Sequence, residues 1–346
     1  MVRKGIEMSE ESKNTEESTV KSRRLTDKKK KKIRHIRIYD VILVLLIGVM
    51  LYSGYQIAGK LIEYRKAEKA YTGLENEVVK VADGPVFYPV GTRPANNPEN
   101  SAETQADPAE TQPDATDPSA SSRPSYVDGS LPPDMTRPDR EPETQATKPS
   151  QIYASPTQKL PWLDVNFPAL WEKNGDVVAW LYGQDGEINL PVVQGRNNDY
   201  YLHRLLDGTW NFAGTLFVDY RNNFLEDDVT IIYGHKMRNK SMFGKLDLYD
   251  SYDYYKTHPV MRLYTPTAIY ELQIMASVYT TVWDEPVRVY ESEEAFREGI
   301  QSYLDRAVYT TGVTAEYGDK LVCLYTCAYQ VTDGRLYMIC KLVQIA

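Results

Sequence analysis

Cysteine and histidine are scarce in this chain, three and four in 346 residues. Three thiols cannot staple a small disulfide scaffold, and an odd number leaves at least one without a partner in the chain. Phenylalanine is also sparse at 7, whereas tyrosine reaches 27, a balance that suits strands and an aromatic-lined surface better than a helical bundle. Hydrophobic residues at 42% and charged residues at 25% exclude both a polytopic membrane protein and a wholly disordered chain. The length fits one folded domain of roughly 150–200 residues with appendages. A net charge of −8 hides an asymmetry: residues 1–40 carry +6 and the rest −14. An acidic body argues against nucleic acid as a partner, and the basic head needs a local explanation.

That explanation is a membrane anchor. Residues 41–59, VILVLLIGVMLYSGYQIAG, hold no formal charge between Asp40 and Lys60. As a helix they reach roughly 28 Å, close to the ~30 Å hydrocarbon core. A soluble core helix of this length would carry a polar face, and only Ser53 and Gln56 interrupt this one. A cleaved signal peptide has a shorter apolar run followed by a small-x-small site, but Lys60-Leu61-Ile62-Glu63 follows here. Lys28 to Lys32, Arg34 and Arg37 precede the run, so the positive-inside rule places the N-terminus in the cytoplasm and the remainder outside the cell. The organisation expected is a basic, mostly disordered segment (1–37), a transmembrane helix (38–60) and a juxtamembrane helix (61–81). A Pro/Ser/Thr/Asp-rich disordered stalk (82–157) and a folded domain (158–346) follow. Thirteen of the 20 prolines fall in residues 82–150, a composition that cannot bury enough apolar surface to offset ordering entropy.

In the folded domain, helical periodicity is clearest over 292–308, with Ser292 as N-cap and Phe296, Ile300, Leu304 and Val308 on one face. A shorter helix is expected over Pro168–Leu181. Seven apolar runs read as strands: 190–194, 215–220, 229–234, 260–265, 268–283, 320–327 and 335–345. Seven or eight strands interrupted by one substantial helix predict a mainly β fold, a closed or nearly closed barrel.

Two strand ends attract chemistry. His235 emerges just after VTIIYG and Gly234, and Cys327 closes KLVCLYTC. Arg335 begins the last strand after the turn signal Thr332-Asp333-Gly334. A hairpin between the strands of Cys327 and Arg335, with His235 beside it, assembles a nucleophile, an acid/base and a fixed cation. The thiolate attacks, the imidazole delivers a proton to the leaving amine, and the guanidinium holds a carbonyl or oxyanion. The plainer reading is that free cysteines are small buried hydrophobes. Cys323 and Cys340 fit that description, since both sit within apolar runs. Cys323 and Cys327, four residues apart on a strand, lie roughly 13 Å from each other, beyond the ~7 Å reach of a disulfide. The same spread argues against zinc, and no metal or cofactor is indicated. His203 and His258 read as surface or capping histidines, and His35 as part of the basic flank.

These residues resemble class B sortases, membrane-anchored cysteine transpeptidases of Gram-positive bacteria. The resemblance spans roughly 165–345 and rests on DVVAWLYG (176–183), INLPVVQGRNNDYYLHR (188–204), AGTLFVDYRNN (213–223), IIYGHKMRNKSMFGKL (231–246), LYTC (324–327) and DGRLYMICKLV (333–343). It implies a sortase-type closed β-barrel of seven to eight strands, with an N-terminal helix and an extra helix before the cysteine strand. By motif, Cys327 is the nucleophile, His235 the acid/base and Arg335 the substrate-holding cation. Tyr233, Tyr325, Thr326 and Tyr329 beside them are expected to contact substrate. The implied reaction cleaves an LPxTG-, NPxTN- or SPxTG-like sorting signal of a secreted protein after its threonine, then passes the acyl group to an amine of a peptidoglycan precursor or a pilin. Two departures are visible: CLYTC stands where the family commonly has TLSTC, and Ala328-Tyr329-Gln330 follow the cysteine where several members carry an acidic residue. The competing classes are a secreted wall cysteine hydrolase and a catalytically silent binding domain. The first usually sets its cysteine on a helix N-terminus ahead of the histidine, the reverse of the order here.

Overall fold

A computed structural model describes residues 4–88, 160–328 and 334–346, with residues 4–16, 27–37, 327 and 328 described by their backbone. The stalk assigned to 82–157 therefore lies almost wholly outside the described residues, as does Tyr329. The chain divides into two compact units, Met1–Ala70 and Tyr71–Ala346.

Helix α1 covers Lys4–Val78. Its first part is helical where the sequence reading expects disorder. Lys, Arg and Glu are good helix formers and no proline occurs before Pro85, so local propensity outweighs the lack of apolar content. The helix is long and apolar enough over part of Ile38–Val78 to cross a membrane, and its most apolar stretch is unburied.

In the second unit, β1 (Val79–Ala82) follows directly, so the helix stops three residues short of the expected boundary. β1 pairs antiparallel with β2 (Trp162–Val165), from Val79↔Val165 to Ala82↔Trp162. Residues up to Tyr88 stay with this unit: the Tyr88 amide donates to Pro266 O at 2.7 Å and its hydroxyl bonds Asp164. Ala82 and Trp162, on either side of the Pro-rich segment, are thus partners in one strand pair.

Helix α2 is only Phe167–Lys173, capped by the Asn166 side chain, which accepts from the Ala169 amide at 3.1 Å. The sequence reading continued this helix to Leu181. Instead Val177–Tyr182 is strand β3, buried along its whole length. A strand covered on both faces shows no alternation and reads from sequence like a buried helix. The other barrel strands are β4 (Asn189–Val193), β5 (Leu216–Val218), β6 (Val229–Tyr233), β7 (Val260–Tyr264), β8 (Ile269–Thr281), β9 (Lys320–Ala328) and β10 (Gly334–Gln344). They close in the order β10-β8-β7-β3-β4-β5-β6-β9. This eight-strand closed barrel is the mainly β fold expected.

A short helix α3 (Tyr252–Thr257) precedes β7. Helix α4 (Glu293–Arg306) comes before β9, with the Ser292 hydroxyl accepting from the Ala295 amide at 3.1 Å. Its Phe296, Ile300 and Tyr303 pack on Cys323 of β9 and on Tyr337 and Ile339 of β10. Of the face expected, Phe296 and Ile300 are buried, Tyr303 joins them, Leu304 is only partly buried, and Val308 lies beyond the helix end at Arg306. Cys323 and Cys340 are free and fully buried. Burial holds both thiols well above the ordinary thiol range, as core residues require.

Candidate active site

Two pairings define one rim of the barrel. β6 runs parallel to β9 through Tyr233↔Tyr325, and the Gly234 amide donates to Tyr325 O at 3.1 Å. The backbone at His235 consequently comes out alongside the end of β9, where Cys327 lies. β9 then returns antiparallel as β10, with Cys327 opposite Arg335 and Ala328 opposite Gly334. His235, 92 residues before Cys327, and the Cys327–Arg335 pair arrive at one edge by strand register alone. The Cys327 thiol and residues 329–333 lie outside the described residues.

His235 is held from both sides. A Cβ on Gly234 would stand 2.5 Å from Leu216 Cδ2 and 2.6 Å from Phe243 Cδ2. Space, more than the backbone freedom expected from sequence, is what demands glycine here. After the histidine the chain folds back on itself. The Phe243 amide donates to His235 O at 3.0 Å, Lys236 and Met242 form a bridge, and Lys236 Nζ meets Asp247 Oδ1 at 2.6 Å. The YGHKM and MFGKL segments are therefore the two arms of one clamp.

The ring of His235 has its Nε2 at 2.8 Å from Leu202 O. A carbonyl only accepts, so Nε2 carries the proton and Nδ1 is the acceptor of the neutral ring. Burial pushes the imidazole below the ordinary histidine range. The bond to Leu202 opposes that shift and neighbouring His203 adds to it. His203 stacks on His235 with centroids 5.4 Å apart and planes at 22°, and Trp210 lies 6.3 Å beyond. His203 is the exposed capping histidine that the sequence suggests, at the end of the 3-10 turn Tyr200–Leu202; its stacking on His235 has no signal in local spacing.

The rim's floor is aromatic. Phe217, Tyr233, Tyr325 and Tyr337 come from four adjacent strands, with successive centroids 5.2, 4.9 and 5.0 Å apart. The Arg335 guanidinium lies 6.0 Å from the Tyr325 ring, and its Nη1 donates to Gly334 O at 2.9 Å. Tyr233 and Tyr325 keep partial exposure, whereas Thr326 alternates inward, is 2% exposed, and lacks a hydroxyl partner among the described residues. The Tyr233 hydroxyl donates to Asp219 Oδ2 at 3.0 Å, and Arg221 forks onto the same carboxylate at 3.0 and 2.8 Å. Burial raises Asp219, but the Arg221 and Tyr233 hydrogen bonds outweigh it and pull the carboxyl down to about 2. Neither Asp219 nor Arg221 was singled out from sequence, since nothing in AGTLFVDYRNN marks the aspartate as buried. Among the described residues no cluster of three or more His, Cys, Asp or Glu is arranged to hold a metal.

A closed barrel carrying a histidine, a cysteine position and an arginine at one rim defines a class, and comparison with known proteins gives the family. The chain is 37% identical to sortase B of Listeria monocytogenes over 179 residues, 50% of this chain and 72% of that protein. It is 27% identical to sortase B of Staphylococcus aureus over 184 residues, 52% of this chain and 75% of that one. Among solved structures, the Staphylococcus aureus sortase B–substrate complex superposes with a TM-score of 0.50 at 26% identity, covering 52% of this chain and 86% of that one. Sortase B from B. anthracis in complex with AAEK2 superposes with a TM-score of 0.50 at 32% identity, covering 53% and 84%. No family model matches the chain. The protein belongs to the sortase B family and is a cysteine transpeptidase.

Proposed function

We propose that Cys327, His235 and Arg335 carry out this transpeptidation on secreted proteins bearing a C-terminal sorting signal, at the outer face of the membrane. The Cys327 thiol gives its proton to Nδ1 of His235, and the resulting thiolate attacks the carbonyl carbon of the signal's threonine. The peptide C–N bond breaks, the leaving amine takes a proton from His235, and a thioester remains on sulfur. An acceptor amine then attacks that thioester, gives its proton to the ring, and releases Cys327. Arg335 holds the carbonyl oxygen as charge develops on it. Through Nδ1, the nitrogen not bound to Leu202 O, His235 can move the proton while its ring stays in place.

The observation that carries the reading is the double register, Tyr233↔Tyr325 in parallel and Cys327↔Arg335 antiparallel. Tyr233 and Tyr325, partly exposed on the aromatic floor, supply the peptide-facing surface. Thr326 has no surface to offer a peptide, so its part is confined to supporting the strand. The basic residues ahead of the apolar run support an N-in orientation with the barrel outside. Wall anchoring is the simpler end use, with a peptidoglycan-precursor amine as acceptor. Sortase B of Staphylococcus aureus has been solved with a substrate, which supports peptide recognition on the matching face here.

The test is to incubate the full chain in detergent with LPxTG-, NPxTN- and SPxTG-like peptides, with and without a muropeptide or lysine-bearing pilin acceptor. Amine-dependent product from one peptide class supports the proposal and names the signal. Cleavage of wall peptide without transfer would point to a hydrolase, and no turnover of any peptide would point to a silent binder.

A further inference from the structure

The hydrogen bond that orients His235 comes from a loop, and that loop is seated on the end of α1. Tyr71, Leu74 and Val78 are buried in the second unit, at 8%, 8% and 1% exposure. The Tyr71 hydroxyl donates to Gly214 O at 2.6 Å and lies 2.9 Å from Thr215 Oγ1. Gly214 has φ +59, and a Cβ there would stand 2.4 Å from Leu202 O and 2.6 Å from Tyr201 O. The backbone that Tyr71 grips is therefore pressed against the carbonyl that His235 uses. Thr215 tightens the same junction: its amide donates to Tyr201 O at 3.0 Å and its hydroxyl to Arg204 O at 2.8 Å. The Asn166 amide, donating to Val78 O at 2.8 Å, fastens the end of the helix to the start of α2.

We propose that the last two turns of α1 are a working part of the active site, with Tyr71 a positioning residue that holds the 201–215 loop so that Leu202 O can fix the ring of His235. Leu202 sits between Tyr201 and His203, so one loop supplies the acceptor for the ring, the ring that stacks on it, and the ledge on which Tyr71 closes. A hydroxyl at residue 71, 164 positions before the histidine, thus acts through two packed backbone segments. The proposal rests on the assignment of His235 as the acid/base, and it makes the helix leading out of the apolar segment part of the machinery as well as a connection.

The test uses the full chain with 15N-labelled histidine, the His235 signals being those lost in His235→Asn. Tyr71→Phe keeps the ring and its packing and removes only the hydroxyl. It is expected to lower kcat about fivefold, the scale of one net hydrogen bond, with KM for the sorting peptide unchanged and the Nε2 signal of His235 displaced. Thr215→Val, of similar shape, should give the same pattern. Lys173→Gln, which breaks only an exposed ion pair with Glu77 at the same helix end, should leave kcat and the signal alone. Wild-type kcat with an unmoved Nε2 signal in Tyr71→Phe overturns the proposal, and so does a rise in KM at constant kcat. The nitrogen signal needs no substrate, so it still decides the question if none of the peptides offered is the right one.

Discussion

In the proposed reaction, Arg335 is the residue whose chemistry is least replaceable. A lysine keeps the charge but loses the planar fork that holds an oxygen from two directions. Arg335→Lys should lower kcat on the order of 10²-fold, the scale of losing one oxyanion donor, with the chain still folded; turnover near wild type would remove the arginine from the reaction. Gly234→Ala would force a methyl into Leu216 and Phe243. It should destabilise the fold by about 1–3 kcal/mol and reduce turnover by displacing the next residue, both measurable by thermal unfolding and peptide assay. Asp219 gives a pH signature. Its folded carboxyl lies near 2, below its ordinary value of 3.8, so its contribution to stability is complete above about pH 4 and is lost as pH falls towards 2. Asp219→Asn should therefore destabilise at neutral pH and flatten the acid limb of a stability–pH curve; an unchanged acid limb would show that the Arg221–Asp219–Tyr233 group contributes nothing to it.

At the scale of elements, what could be read from sequence follows from periodicity. Helix α4 was legible because one face is wet, and β4 to β10 because each is a short apolar run bounded by turns. β3 was not, for VVAWLY is covered on both sides and carries no alternation. β1 and β2, four residues each, were too short to signal at all. The candidate site was legible at His235, Cys327 and Arg335 because each lies within two residues of a strand end. What escaped was whatever depends on loops meeting: the Leu202 carbonyl, the His203 ring and the Tyr71 hydroxyl reach His235 through contacts that no local spacing encodes. For α4, Ser292→Ala removes the cap on the Ala295 amide and should destabilise by about 1 kcal/mol without altering KM. A change in KM would mean that the helix reaches the peptide, which its packing on Cys323 and Tyr337 gives no reason to expect.

At the scale of the whole molecule, the separation between the apolar run and the compact second unit is short in sequence, Lys60 to Ala70. The long Pro-rich stretch lies elsewhere, inserted after Tyr88 and before Leu160. Replacing residues 89–159 by a flexible Gly/Ser linker of roughly a dozen residues should leave folding and peptide turnover unchanged. Loss of soluble-peptide turnover in that variant would mean the insertion serves catalysis directly. Removing residues 1–88 should do more damage, because β1 and the end of α1 go with them; unfolding and turnover measurements on the two variants separate these cases.

The pairing of Ala82 with Trp162 also bears on what a break in the chain would do. A protease that nicked the insertion would sever the polypeptide yet leave the fragments clasped by the β1–β2 ladder and by Tyr71, Leu74 and Val78. The clipped enzyme would stay in one piece, keep its activity and show as two bands only after denaturation.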